Sequence, residues 1–279
     1  MFATVLPYVQ KGRRMFDLTG KVAIVTGSTS GIGTGIAECF AEAGAQVIVT
    51  GRRKEKGEAV VEALRENGGK AEYHFLDIMD EKAIEDLMKD VSEKYGKIDI
   101  LVNNAADALA PNHGVLETTA EDWDYMMSSA LKSVFLVTKA VIPYMQKNGG
   151  GSIINTGSTA ALAGNLSYAA YGPAKVGVEN FTKNVAYQFG KDNIRCNCIR
   201  PGLTVTAENE PYIPQAFKDI YMDEIEVNRW GNPRDIGYMA TFFASDEAGY
   251  VTSQIISVDG GMWSHAPQNS ACRKMGFNF

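Results

Sequence analysis

Val22-Ala23-Ile24-Val25, followed at once by Thr26-Gly27-Ser28-Thr29-Ser30-Gly31-Ile32-Gly33, is the stretch that decides the fold. Four apolar residues without alternation read as a strand buried on both faces. The glycines let the chain turn tightly and bring its backbone against a pyrophosphate, whose charge meets the positive end of the next helix. A plain strand-to-helix turn also uses glycine. A strand before, a helix after and a place near the chain start select dinucleotide binding. Gly27, Ser30, Gly31, Ile32 and Gly33 are therefore the first candidate cofactor contacts.

Outward from this loop the same alternation repeats. Helical periodicity covers 32–44, 53–67, 80–95 and 168–189, and a long stretch over 121–146 that Pro143 should interrupt. Apolar runs at 47–49, 71–76, 98–102, 152–155, 194–199 and 254–258 read as strands. Continuous apolar strands, each followed by a helix, indicate a parallel sheet covered on both faces, and right-handed crossovers make it doubly wound. Ligands then sit at the carboxyl ends of the strands. One domain over 18–263 is expected, with an amino-terminal extension (1–17) and a carboxyl-terminal tail (264–279). Residues 208–229, rich in proline, tyrosine and acids, fit neither strand nor simple helix and read as part of a lid insertion over the site, about 206–230.

The whole chain narrows the function classes. Its 279 residues are 45% hydrophobic and 22% charged with a net charge of −6, an ordinary globule without the basic footprint of nucleic-acid or anionic-membrane binding. No apolar run approaches the roughly 18 residues needed to span a bilayer, so no membrane-crossing segment is expected. Arg13-Arg14 is followed by Asp17-Leu18-Thr19-Gly20 where an export signal needs an apolar stretch, so a cytoplasmic protein is expected. Four cysteines are too few for a disulfide framework, and Cys196 and Cys198, two apart on a strand, are badly placed to bridge each other. Three scattered histidines (His74, His113, His265) argue against a metal site.

An acid at the tip of the second strand would bond a ribose hydroxyl and repel a 2′-phosphate. The tip here reads Thr50-Gly51-Arg52-Arg53. Arg52 suits a phosphate or an adenine face, which leans toward NADP(H) and leaves NAD(H) open.

Tyr171-Gly172-Pro173-Ala174-Lys175 sets a tyrosine and a lysine at i and i+4, on one helix face. A phenol titrating near 10 is a poor acid/base at neutral pH, and a neighbouring ammonium that brings it down must supply about 4 kcal/mol. Such a pair alone is weak evidence. Thirteen residues upstream, however, Asn155-Thr156-Gly157-Ser158 places a hydroxyl at a strand's carboxyl end.

With these motifs in order, the chain over residues 18–263 resembles the short-chain dehydrogenase/reductase family. The glycine loop, Asp77, Asn103-Asn104-Ala105, Ser158, Tyr171, Lys175, Pro201-Gly202 with Thr206, and Asp259-Gly260-Gly261 carry the resemblance. It implies a seven-stranded Rossmann sheet, commonly a homotetramer, and hydride transfer between NAD(P)(H) and a carbonyl or secondary alcohol. By position Tyr171 is the proton donor or acceptor, Lys175 lowers its pKa and holds the nicotinamide ribose, and Ser158 orients the carbonyl. Asp77 and Ile78 fall near adenine, Asn104 lines the cofactor site, and Pro201, Gly202 and Thr206 complete it.

Three positions depart from the family pattern. Ala106 follows Asn103-Asn104-Ala105 where glycine is common. Pro173 stands inside the Tyr–Lys turn, tolerable only near a helix start. Ser129-Ala130-Leu131 replaces Val-Asn-Leu, so the asparagine of the proton relay is missing, and Ser128 or Ser129 would have to stand in from about 100° away on the helix.

Tyr212, Ile213, Pro214, Phe217, Ile220, Tyr221, Met222 and Trp230 make the expected lid apolar, with Leu109, Leu166 and Met262-Trp263 near strand ends. Such a lid favours a bulky apolar alcohol or ketone, such as a steroid or bile acid, over a sugar or an acyl-carrier thioester. Within the family this is most similar to bacterial hydroxysteroid dehydrogenases of the 20β type. A ketoacyl or polyol dehydrogenase, and a nicotinamide-binding regulator without turnover, stay open. Finally, Met1 to Phe16 carries Phe2, Val5, Leu6, Tyr8, Val9 and Phe16, too apolar for a free tail, and is expected to dock as an arm on its own or a neighbouring subunit.

Overall fold

A computed structural model describes residues 15–106 and 113–277. Seven parallel strands form one sheet in the order β3-β2-β1-β4-β5-β6-β7. These are β1 (Val22–Val25), β2 (Gln46–Gly51), β3 (Lys70–Phe75), β4 (Ile100–Asn103), β5 (Gly151–Thr156), β6 (Ile194–Pro201) and β7 (Ile255–Val258). The order reverses beside β1, so the loops leaving β1 and β4 diverge and open a crevice at their carboxyl ends. β1 and β4 are buried at every position, as their unbroken apolar pattern requires.

Helices α1 (Gly31–Glu42), α2 (Lys54–Glu66) and α3 (Glu81–Tyr95) follow the first three strands. The α3 boundary is chemically marked at both ends. Asp80 accepts from the backbone N–H groups of Lys82 and Ala83, and Gly96 closes the helix in the left-handed conformation. Two apolar layers sandwich the sheet. One holds Phe40 and Ile36 of α1 with Phe243, and the other holds Leu87, Met88 and Val91 of α3 with Val137 and Val141.

Pro143 does not interrupt the next helical stretch. The break lies earlier, where a single π turn (Ser128–Lys132) joins α4 (Ala120–Met127) to α5 (Ser133–Lys147), and Ser133 N–H donates to Ser128 O. By length and composition the continuous stretch Ala120–Lys147 is apolar enough to cross a bilayer, contrary to the sequence expectation. Just over half of its most apolar window is buried inside the protein, where α5 packs on α3 and the sheet, so it is accounted for as a core helix.

α6 (Tyr171–Phe189) follows β5, and Pro173 falls in its first turn, where the backbone N–H has no intrahelical partner to lose. Part of the expected lid is a regular helix, α7 (Gln215–Glu224), which corrects the reading of 208–229 as non-helical. α8 (Pro233–Ala244) escaped the sequence reading although Asn232 and Asp235 form a capping box across its start. It packs on α1, where Arg234 grips Glu42 through two bonds of 2.7 and 2.6 Å. A short α9 (Asn269–Lys274) ends the described chain. Of the expected amino-terminal arm only Met15 and Phe16 are among the described residues, and the Phe16 ring stands 5.7 Å from Phe242.

Candidate active site

The glycine loop is shaped by contacts that no larger residue permits. A Cβ on Gly33 would lie 2.3 Å from Gly27 O, and one on Gly27, whose φ is +64°, would lie 2.8 Å from Ala105 Cα. Gly31 opens α1 with φ +58°, and its open side is 3.6 Å from the Thr206 methyl. The backbone N–H groups at the start of α1 thus face an uncluttered cradle, with no acid in the first helical turn. Ser30 precedes the helix without capping it by its side chain, and Ile32 turns into the core layer with Ile36 and Phe40.

Thr26, absent from the sequence candidates, ties this loop to β4. Its hydroxyl donates to Val102 O at 3.1 Å and accepts from the N–H groups of Asn104 (2.9 Å) and Ala105 (3.0 Å). The Asn104 amide donates in turn to Thr26 O and Gly27 O, at 3.0 and 3.2 Å, so Asn104 acts first on the loop. Asp77 is half-buried after β3 and accepts from Met79 N–H, while Ile78 packs against the second core layer.

Both arginines after β2 are exposed, but Arg53 is the one that reaches across the loop, its Nη2 donating to Ser30 Oγ at 2.7 Å. Sequence reasoning chose Arg52 from the strand tip. The direction of a side chain leaving an irregular turn is a tertiary fact.

Pro201 ends β6, and Gly202 presses so close to Asp259 that a Cβ would stand 2.7 Å from its Cα. Thr206 and Asn209 then bond each other reciprocally, at 2.8 and 3.2 Å, and bring the start of the lid over Gly31.

The three candidate catalytic residues meet at the end of β5. Tyr171 is the first residue of α6, and its phenol hydrogen-bonds the Ser158 side chain. Burial pushes that phenol above its ordinary value, and the Ser158 bond pulls it back in part. Lys175 Nζ is buried beside the Tyr171 ring, 5.5 Å from its centroid, and donates to Thr156 O at 2.7 Å. Desolvation brings the ammonium down to about 8. Burial is the larger influence on the phenol in this arrangement, with Lys175 Nζ held on Thr156 O.

The two serines expected to stand in for the missing relay asparagine both lie in the π turn. Ser129 Oγ donates to Met126 O within its own helix, and Ser128 is half-buried at the start of the turn. Ala130 is fully buried in an apolar cluster with Met126, Ala170 and Ala174, against which Tyr171 packs.

At the first turn of α6 opens a cleft of about 750 Å³, lined by Leu162, Leu166, Tyr168, Ala169, Pro173 and Val176 among others, with Ser158, Tyr171 and Lys175 outside this lining. No lysine, arginine, aspartate or glutamate is among its described lining residues. Leu109 lies outside the described residues, and Trp263 is not part of this lining. In the lid, Tyr221 stacks between Phe217 (5.5 Å) and Trp230 (6.3 Å). The Tyr221 hydroxyl faces the Leu203 backbone and the Thr159 side chain, next to Ser158. The sequence marked Tyr221 only as bulk.

The arrangement pairs a dinucleotide cradle with a buried Ser–Tyr–Lys group at one edge of the sheet. A family model described as enoyl-(acyl carrier protein) reductase matches residues 27–263. The 7alpha-hydroxysteroid dehydrogenase of Clostridium sardiniense is 35% identical over 257 residues, covering 92% of this chain and 98% of its own. The 3-oxoacyl-[acyl-carrier-protein] reductase of Thermotoga maritima is 38% identical over 248 residues, covering 88% and 98%. Among solved structures, a 7 alpha-hydroxysteroid dehydrogenase complexed with NADH and 7-oxo glycochenodeoxycholic acid superposes with a TM-score of 0.84 at 34% identity, covering 88% of this chain and 95% of its own. A gluconate 5-dehydrogenase from Burkholderia cenocepacia in complex with NADP and tartrate gives 0.84 at 30% identity, covering 90% and 98%. With this fold and these relatives, the chain belongs to the short-chain dehydrogenase/reductase family, as a nicotinamide-dependent oxidoreductase acting on CH–OH groups.

Proposed function

We propose that the protein interconverts a bulky, apolar secondary alcohol and its ketone, a steroid or bile acid being the class that suits the cleft best. The observation that carries this is the cleft at the first turn of α6, about 750 Å³ and without a charged side chain among its described lining. Leu166 in its lining is exposed, and Phe217 and Ile220 of the lid are exposed large apolar groups as well. A sugar acid or a phosphorylated carrier arm would call for cations and convergent polar groups in place of these.

NAD(P)(H) fits the cradle formed by Gly27, Gly31 and Gly33, where backbone N–H groups would meet a pyrophosphate and a Cβ on Gly33 would force the loop apart at Gly27 O. Ser30, Arg52, Arg53, Asp77, Ile78, Asn104, Pro201, Gly202 and Thr206 complete the site, and the two arginines favour NADP(H). When bound, the nicotinamide accepts or donates the hydride. Tyr171 gives its phenolic proton to the carbonyl oxygen in reduction and takes it back in oxidation. Ser158 holds that oxygen in line. Lys175, leaving Thr156 O for the ribose, brings a positive charge toward the phenol and lowers the cost of phenolate. The same reading takes the protein as a cytoplasmic homotetramer, in keeping with the exposed Phe135, Val176 and Tyr187 on α5 and α6.

Turnover of a steroid, sugar-acid and ketoacyl panel, followed by nicotinamide absorbance with each cofactor, tests the reading. Tyr171→Phe should cut turnover by roughly 10²-fold or more while cofactor binding persists. A Phe variant that keeps wild-type rate, or a wild-type enzyme that prefers the sugar acids, would overturn it.

A further inference from the structure

The family model stops at residue 263, yet the chain runs on and folds back onto the lid. His265 sets Nε2 2.9 Å from Glu224 O, at the last turn of α7. Ser270 Oγ donates to Glu224 Oε1 at 2.5 Å. Arg273 pairs with Glu226 at 3.2 Å, and Lys274 pairs with Asp223. The acids of the lid's end (Asp223, Glu224, Glu226) thus meet His265, Ser270, Arg273 and Lys274 of the tail.

α7 has little else to hold it. None of its residues is fully buried, and Phe217 and Ile220 remain exposed. Its inner attachments are Tyr221, which faces Leu203 and Thr159 next to Ser158, and the buried Ile225 that closes the helix. Just after the helix, Glu226 and Val227 donate their N–H groups to Gly260 O at 2.9 and 3.1 Å, at the turn from which the tail departs.

We propose that residues 265–276 are a strap that holds α7 in place with Tyr221 beside Thr159, next to Ser158, making the carboxyl-terminal tail a determinant of how bulky substrates are bound. The strap follows from the contacts alone, whereas its effect on bulky substrates rests on the substrate reading above. It acts through α7 and touches neither substrate nor cofactor, so its residues are positioning residues. A loosened α7 releases Tyr221 from beside Thr159 and weakens binding of large apolar ketones more than small ones.

The test uses the full chain carrying Arg273→Glu with Lys274→Glu, read by amide hydrogen exchange and steady-state kinetics. Exchange across α7 should rise roughly tenfold, with α2 unchanged as the internal reference. KM for a steroid ketone should rise several-fold with kcat and the KM of a small cyclic ketone held. Asp223→Lys added to Lys274→Glu should restore slow exchange, which separates the specific pair from general damage. Unchanged exchange in α7, or equal KM shifts for large and small ketones, overturns the strap as a specificity element. If the wild type turns over no bulky ketone, the substrate reading falls and with it the proposed effect on specificity, while the exchange result still decides whether the strap holds α7.

Discussion

The crevice has two walls built on opposite principles. The nucleotide wall, from β1 through Asn104, is rigid because its backbones touch. Thr26, Gly27, Gly33 and Asn104 are closed into one set of short contacts over fully buried strands. The lid wall is a helix with no fully buried residue of its own, held at its end by Ile225, by backbone bonds to Gly260 and by a set of exposed ion pairs. The first wall must present the same N–H groups to the same phosphates every time. The second must open to admit a substrate, and elements that move are drawn from the less stable part of a fold.

The sharpest way to break the contrast is to disturb the rigid wall by one methyl. Gly33→Ala puts a Cβ 2.3 Å from Gly27 O, a backbone atom that cannot rotate away. Loop distortion should cost about 1–3 kcal/mol of stability and lower nucleotide affinity by more than tenfold, measured by thermal melting and cofactor titration. Near-normal affinity would show that the loop yields, and the contrast would fail.

An intermediate effect is expected at Arg53. Because its guanidinium reaches Ser30 across the loop, Arg53→Ala should weaken NADP(H) by roughly ten- to a hundredfold, the worth of a charged hydrogen bond, with a smaller effect on NAD(H). Arg52→Ala in parallel measures which arginine sets the preference. Equal losses for both cofactors would leave Arg53 only a loop-holding part.

The smallest effect belongs to the soft wall. The Glu224 and Ala266 carbonyls face the two ring nitrogens of His265 and, with the Glu224 and Glu226 carboxylates nearby, raise its pKa. A raised folded-state value contributes stability that is complete below the ordinary histidine range and is lost as pH rises through the raised value. His265→Gln should therefore melt slightly lower than wild type at acidic pH, and the difference should fade at alkaline pH. A difference that is constant with pH would assign His265 to packing alone.

Tyr171 and Lys175 show why part of the site was legible. Their common face follows from helix geometry over four residues, as the crowding of the glycine loop follows from a strand meeting a helix within eight. The Asn232–Asp235 cap was equally local and was simply passed over. The π turn at Ser128–Lys132 left no such mark, and Pro143 drew the expected break to the wrong place. A proline deep in a long helix is tolerated where surrounding packing outweighs one lost bond.

What the sequence determined by itself is the parallel sheet, the dinucleotide loop and the Tyr171–Lys175 pair, because each is written in neighbours along the chain. The tertiary structure alone decided that Arg53 crosses to Ser30, that Tyr221 reaches Thr159, that burial is the larger influence on the Tyr171 phenol, and that the tail returns to the lid. These join residues tens of positions apart, and their energies depend on direction, solvent exclusion and charge across space, none of which a local pattern encodes.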